Sequence, residues 1–213
     1  MMRLTVLFVL FACVCSAYAA PPVETSYDGL QRRDSKVFEN VWVRKYFEVR
    51  SYHKVIFKSP HIEYRPVMKG QSGSDAGFAL SQRQKDSLYE IVSKAFQSEL
   101  AKSKLFQLTT EPCTDVLLVR GDLLDVVSFV PPSANGRNDL LEVADIGEAT
   151  LEMELYDSTS DSIMVRAIER VTAKHDAGAP PTTAADAVQR TATQWAGILR
   201  ERLDAAAGIP LNQ

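Results

Sequence analysis

The chain has 213 residues, with 24 Lys+Arg against 27 Asp+Glu and a formal net charge of −3. With 46% hydrophobic and 24% charged residues, its composition is that of an ordinary globular protein, which excludes a disordered, collagen-like or disulfide-dense chain. The near-neutral balance excludes the basic surplus of a nucleic-acid binder, and a chain of this size can bury a full core without staples.

Residues 1–20 read MMRLTVLFVLFACVCSAYAA. Arg3 supplies a positive start, Leu4 to Cys15 is an almost unbroken apolar run of 12 residues, and Ala17-Tyr18-Ala19 is the small-x-small pattern that signal peptidase accepts. This predicts a signal peptide over 1–19, cleaved after Ala19. The run is too short to span a bilayer, which takes about 20 residues, so no transmembrane helix is expected in the mature chain. Leu10-Phe11-Ala12-Cys13 offers a second route, in which a lipobox-like motif leads to acylation of Cys13. Phe11 is bulky for that motif and leaves a shorter apolar stretch, so the site after Ala19 is the expected one. The first route gives an exported protein of the periplasm or cell envelope. The second anchors it to the outer membrane through acyl chains on Cys13, the one membrane tether the sequence offers. Cleavage after Ala19 removes Cys13 and Cys15, so Cys113 has no internal disulfide partner. It lies in Glu-Pro-Cys-Thr before an apolar strand and is read as a plain, partly buried thiol.

Residues 20–36 are polar, contain two prolines, and read as an N-terminal linker ending in a short docking segment, Tyr27-Asp28-Gly29-Leu30. A single domain is expected over 37–207. Val41-Trp42-Val43 and Lys54-Val55-Ile56-Phe57 are extended runs, and Pro60 before Ile62-Glu63-Tyr64-Arg65 implies a sheet edge or bulge. Residues 68–77 are rich in Gly and Ser and read as a loop. Ser81 and Gln84 form a capping box, and Leu88, Ile91, Val92, Ala95, Phe96 and Leu100 make one apolar helical stripe. Val116-Leu117-Leu118-Val119 lacks alternation and reads as a strand buried on both faces.

Residues 129–147 read as a long loop and a candidate interaction surface, with Pro131, Pro132, Asn135 and Arg137 leading to apolar Leu140 and Leu141. Ala149, Leu151, Met153 and Leu155 alternate with polar neighbours, Asp157 to Asp161 is turn chemistry, and Ile163 to Val171 returns as the second strand of a hairpin. The shared parity places Glu152 and Glu154 on one face with Arg166 and Arg170, as a solvated, ion-paired surface. After a loop at 174–182, Thr183 caps a second helix whose stripe includes Ala187, Trp195, Leu199 and Leu203, with Trp195 as its anchor and Gly208 as its end. The order of elements predicts an α+β fold, with two amphipathic helices on one face of a mostly antiparallel sheet.

No nucleotide-binding loop, zinc-protease motif, nucleophile elbow or cysteine-pair motif is present. Asp122 and Asp125 are three apart on a strand, which puts them on opposite faces. Glu152 and Glu154 share a face but also share arginine neighbours. His53 and His61 lack a third convergent ligand. The sequence therefore assigns no catalytic residue, no metal site and no cofactor, and an enzyme is not expected.

The Asp28-Gly29-Leu30 segment, the strand from Tyr52 to Arg65, Asp115 to Arg120, the hairpin from Glu152 to Ser158 and the helix around Trp195 occur in an order that resembles the domain-of-unknown-function 3313 family. The resemblance covers most of residues 27–205. It implies an exported envelope protein of a Gram-negative bacterium and carries no catalytic residues. Phe11 departs from the lipoprotein pattern common in that family. The leading expectation is a non-enzymatic protein that binds an envelope partner or has a structural accessory role. A small-ligand or lipid binder, with an apolar cavity between helices and sheet, is the alternative, and an envelope hydrolase ranks below both.

Overall fold

A computed structural model of the chain describes residues 24–67, 77–129, 145–174 and 184–208. The segment 1–19 with Cys13 and Ala19, the helix-capping Thr183, and the candidate loop residues Pro131, Pro132, Asn135, Arg137, Leu140 and Leu141 lie outside the described residues. The architecture is the expected α+β one. Strands β1 (Leu30–Arg33), β2 (Asn40–Arg44), β3 (Lys54–Phe57) and β4 (Ile62–Tyr64) precede helix α1 (Gln82–Leu100). Strands β5 (Gln107–Leu108), β6 (Val116–Ser128), β7 (Asp145–Asp157) and β8 (Ile163–Lys174) follow, and helix α2 (Ala184–Ala207) completes the order. The eight strands form one open sheet in the order β1-β2-β8-β7-β6-β3-β5, with β4 also paired to β6.

The hairpin forms with the parity its sequence dictates. Leu155 lies opposite Val165 and Met153 opposite Ala167, while Glu154 faces Arg166 on the other side of the sheet. β6 pairs antiparallel with β7 and parallel with both β3 and β4. Pro60 is buried between those two short strands, where it cannot donate to a ladder, so a single run is broken into two. Parallel strands need a crossover, and α1 supplies it between β4 and β6. Its start is held by the Ser81–Gln84 capping box: the Gln84 amide donates to the Ser81 hydroxyl, and the Ser81 amide donates to the Gln84 side chain.

Two stretches carry more sheet than the sequence pattern suggests. The segment read as linker and docking residues contributes β1, which pairs with β2 along Leu30 to Arg33. Its strand residues Gln31, Arg32 and Arg33 are polar because they lie at the sheet's margin, and only Leu30 is fully buried. The last residues of the expected 129–147 loop belong to β7, where Gly147 lies opposite Ser128. A Cβ at Gly147 would stand 2.6 Å from the Val127 carbonyl oxygen, so glycine is the residue this close pairing admits.

The core lies between the helices and one face of the sheet. Val55, Leu117, Val119, Leu151, Met153, Leu155 and Ala167 form its floor, with Val92, Phe96 and Leu100 of α1 and Ala192, Ala196, Leu199 and Leu203 of α2 above. Phe96 stacks on Phe57 with ring centroids 5.5 Å apart. The buried face of α2 centres on Ala192 and Ala196, small residues that let it lie close beside α1. Trp195, the expected anchor, sits at the margin of that face and packs against Phe38 at 5.8 Å. Between the helices, Arg200 lies 3.7 Å from buried Glu99 and 3.7 Å from buried Asp204.

Candidate ligand cleft and a charged face

The sheet is wider than its cover. Seven strands side by side span roughly 29 Å at about 4.8 Å per interval, whereas two helices about 10 Å across cover about 20 Å. The uncovered strip opens beside α2, over β2 and β8, as a cleft of about 810 Å³. Val41 and Val43 of β2, Val165 and Ala167 of β8, and Met153 and Leu155 of β7 form its floor. Leu199, Leu203 and Ala206 of α2 form one wall at helical spacing. Phe38, packed on Trp195, bounds one end. Phe47 and Val49 bound the other, where the 3-10 turn Val49–Ser51 meets α2. The rim carries Asp34, Lys36, Glu48, Arg50 and Arg202. Among the described residues, no histidine or cysteine lines the cleft.

The opposite face of the sheet has a different chemistry. Arg166 is its hub, 2.9 Å from Asp28, 3.0 Å from Glu152 and 2.8 Å from Glu154. Glu154 also accepts from the Tyr156 hydroxyl and lies 3.7 Å from Arg120. These groups are less solvated than the expected ion-paired surface: Arg166 is 14% exposed and Glu154 8%. The turn that precedes β1 contributes to this, since it brings the Asp28 carboxylate and the Tyr27 ring onto Arg166. The Ser26 hydroxyl and Arg166 both bond the Asp28 carboxylate, which holds it below the usual range although burial works against its charge. Burial and the adjacent Glu154 charge push the Glu152 carboxyl up.

The remaining candidates are dispersed. Asp122 lies opposite Glu152 but accepts from the His61 amide. Asp125 sits at a bulge in β6 with φ +56 and pairs with Arg65, which also reaches Glu148 at 2.7 Å. The two aspartates therefore serve separate contacts. Arg170 lies opposite Thr150, near Asp125, so it is not part of the Arg166 cluster. The His53 amide donates to the Asp115 carbonyl, and the Leu123 amide donates to the His61 carbonyl. Eight strand positions separate those partners, about 26 Å, so the histidines cannot share an ion. No group of three metal-ligating side chains occurs among the described residues. Cys113 is exposed, not partly buried, because it lies in the turn before β6 rather than in the strand. Its backbone is tied to the Ser158 hydroxyl by bonds of 3.2 and 3.0 Å. No described helix is long and apolar enough to cross a membrane.

The sequence missed two features. The stretch read as a linker supplies Asp28 to the charged hub, and the cleft combines residues from both halves of the chain. For the cleft, the signal was the apolar character of Val41, Val43 and Val165 on more strands than two helices are wide enough to cover.

A family described as "Protein of unknown function (DUF3313)" matches residues 22–199. No curated protein matches the chain. Among solved structures, the chain is similar to protein XCC0632 from Xanthomonas campestris, with 15% identity and a TM-score of 0.43 over 73% of this chain and 85% of that one. It is also similar to the PelC dodecamer from Paraburkholderia phytofirmans, with 9% identity and a TM-score of 0.37 over 75% and 96%. The hypothetical protein CT253 from Chlamydia trachomatis gives 11% identity and a TM-score of 0.38 over 71% and 98%. Similarity at this level says nothing about what this chain binds.

Proposed function

The chain belongs to the DUF3313 family, and from that premise we propose that it is an exported, non-catalytic binding protein of the cell envelope, with the cleft beside α2 as its binding site. The cleft is the observation that carries this reading. Its volume falls within the roughly 300–1,000 Å³ of small-molecule sites, and its apolar floor with a polar rim is their usual chemistry. The Arg3, apolar-run and Ala-Tyr-Ala pattern supports export. The non-catalytic part is supported by the use of the carboxylates: Asp28, Glu152 and Glu154 are engaged by Arg166 on the far side of the sheet from the cleft.

The test is binding of a neutral, environment-sensitive naphthylamine dye to the purified protein. One saturable site is expected, lost in Val165→Trp, which fills the floor while leaving the far-ultraviolet circular dichroism unchanged. Absence of saturable binding, or equal binding by the folded variant, would overturn the reading of the cleft. Mass analysis of the N-terminus tests export. A chain starting at Ala20 or at an acylated Cys13 supports it, and a chain retaining Met1 refutes it.

A further inference from the structure

We propose that the cleft takes the single alkyl chain of an anionic amphiphile, a long-chain carboxylate in the simplest case, with its head at the end where Arg50 and Arg202 lie. The inference rests on the reading of the cleft as a binding site and adds the class of ligand.

The shape argues first. Phe38, packed on Trp195, lines the cleft before β2, and Phe47 and Val49 line it after β2. The described lining thus spans little more than the five residues of β2, a length of roughly 17 Å that suits one alkyl chain better than a partner's helix. The open part of the floor is the row Val41, Val43 and Val165, continuous with buried Ala167, Met153 and Leu155 of the core, with no hydrogen-bonding side chain among them. Such a floor rewards a hydrocarbon and would leave the polar groups of a sugar or peptide without partners.

Charge then sets the orientation. Five ionisable residues line the rim, and none forms an ion pair among the described residues. Asp34 and Lys36 lie together in the β1–β2 connection and offset each other. At the opposite end Arg50 extends from the 3-10 turn and Arg202 from α2, two elements in mutual contact, against Glu48 alone. That end has a surplus of one positive charge, carried by guanidinium groups suited to bidentate contact with a carboxylate. An alkyl chain lying over the valines with its carboxylate there satisfies both parts of the site.

The test compares three twelve-carbon probes, each below its micelle concentration, by displacement of the naphthylamine dye from the purified protein. The probes are dodecanoate, dodecanol and dodecyltrimethylammonium. Dodecanoate is expected to bind at least ten-fold more tightly than either of the others. The double substitution Arg50→Gln with Arg202→Gln, at two exposed positions, is expected to abolish that preference while leaving dodecanol binding within two-fold. Equal binding of dodecanoate and dodecanol, tighter binding of the cation, or an unchanged preference in the double variant overturns the assignment of the head group and leaves the cleft reading standing. Failure of the dye and all three probes to bind removes both.

Discussion

The two faces of the sheet exclude water by opposite means. On the helix side the floor is aliphatic and stays dry only where something covers it. Under α1 and α2 the packing is complete, with Phe96 2% exposed, and beyond α2 the same kind of surface is left as the cleft. On the other side no described helix covers the sheet, yet the Glu154 side chain is 8% exposed. There the shielding comes from the network itself, as Arg166, Tyr156 and the Asp28 turn lie over the carboxylates. An apolar surface needs a cover from elsewhere in the chain or from a ligand. A charged network of long side chains can cover itself, provided that every charge is paired.

The largest expected effect belongs to the completely covered part. Phe96→Ala removes a ring that stacks on Phe57 and lies over Gly121, and it is expected to lower unfolding stability by about 3–5 kcal/mol in a urea titration at pH 7. A loss below about 1 kcal/mol would mean that the helix face is far less tightly packed than described. Next in size is Arg166→Met, which leaves Asp28, Glu152 and Glu154 without their shared cation. Loss of one partner from a buried pair costs about 3–5 kcal/mol, so for this partly exposed hub about 2–3 kcal/mol is expected. The loss has a defined pH dependence. Glu152 has a raised folded-state pKa, so its ionisation opposes folding, and acidification through that value relieves the opposition, most strongly without Arg166. Asp28 has a depressed one, so the stability it gives the parent is present above its usual value and is lost as pH falls through the folded value. Both effects narrow the gap between parent and variant on acidification. A gap that stays constant from pH 7 to pH 3 would contradict the network.

How much of this the sequence discloses depends on how local each feature is. The hairpin parity is a property of twenty-odd consecutive residues, so the meeting of Glu154 with Arg166 follows from period two alone. The capping box and the stripe of α1 are equally local. Asp28 reaches Arg166 across more than 130 positions, and nothing in the polar run around it announces a sheet edge. The cleft is less legible still. It is defined by what α2 fails to cover, which depends on the strand order and on Ala192 and Ala196 bringing α2 toward α1. Trp195 shows the same limit: its spacing placed it on the helical stripe, but the close approach of the helices put it at the margin, against Phe38.

A smaller effect is expected at the turn that joins the two strands of the hairpin. One oxygen of Asp157 accepts from the amides and hydroxyls of Thr159 and Ser160, and the other accepts from the Tyr52 hydroxyl at 3.0 Å. Burial opposes the charge on Asp157, but these bonds outweigh it and hold the carboxyl well below its usual value, while burial and Asp157 push the Tyr52 hydroxyl up to about 12. Asp157→Asn keeps the shape and removes the charge, and is expected to lower stability by about 1–2 kcal/mol at pH 7. Because the folded-state pKa is depressed, that difference is present above the ordinary value of 3.8 and disappears as pH falls through the folded value. Thermal unfolding of parent and variant at pH 7 and pH 2.5 checks the sign, and a difference that grows on acidification would refute it.

The smallest expected effect comes from the floor of the cleft and separates the two halves of the helix face most sharply. Val165 is only partly buried and borders open space, whereas Leu151 on the neighbouring strand is 3% exposed under the helices. Truncating Leu151 to alanine creates a closed cavity and is expected to lower stability by about 2–4 kcal/mol. Truncating Val165 to alanine only widens a cleft that is already open, so there is no new cavity to form, and a loss below about 1 kcal/mol is expected. With dodecanoate present the order should change. The ligand stabilises the parent in proportion to its occupancy of the site, and Val165→Ala, having given up part of the contact surface, should gain less from it. A Val165→Ala protein whose ligand-induced shift in unfolding temperature equals the parent's would show that the aliphatic floor is not where the chain lies.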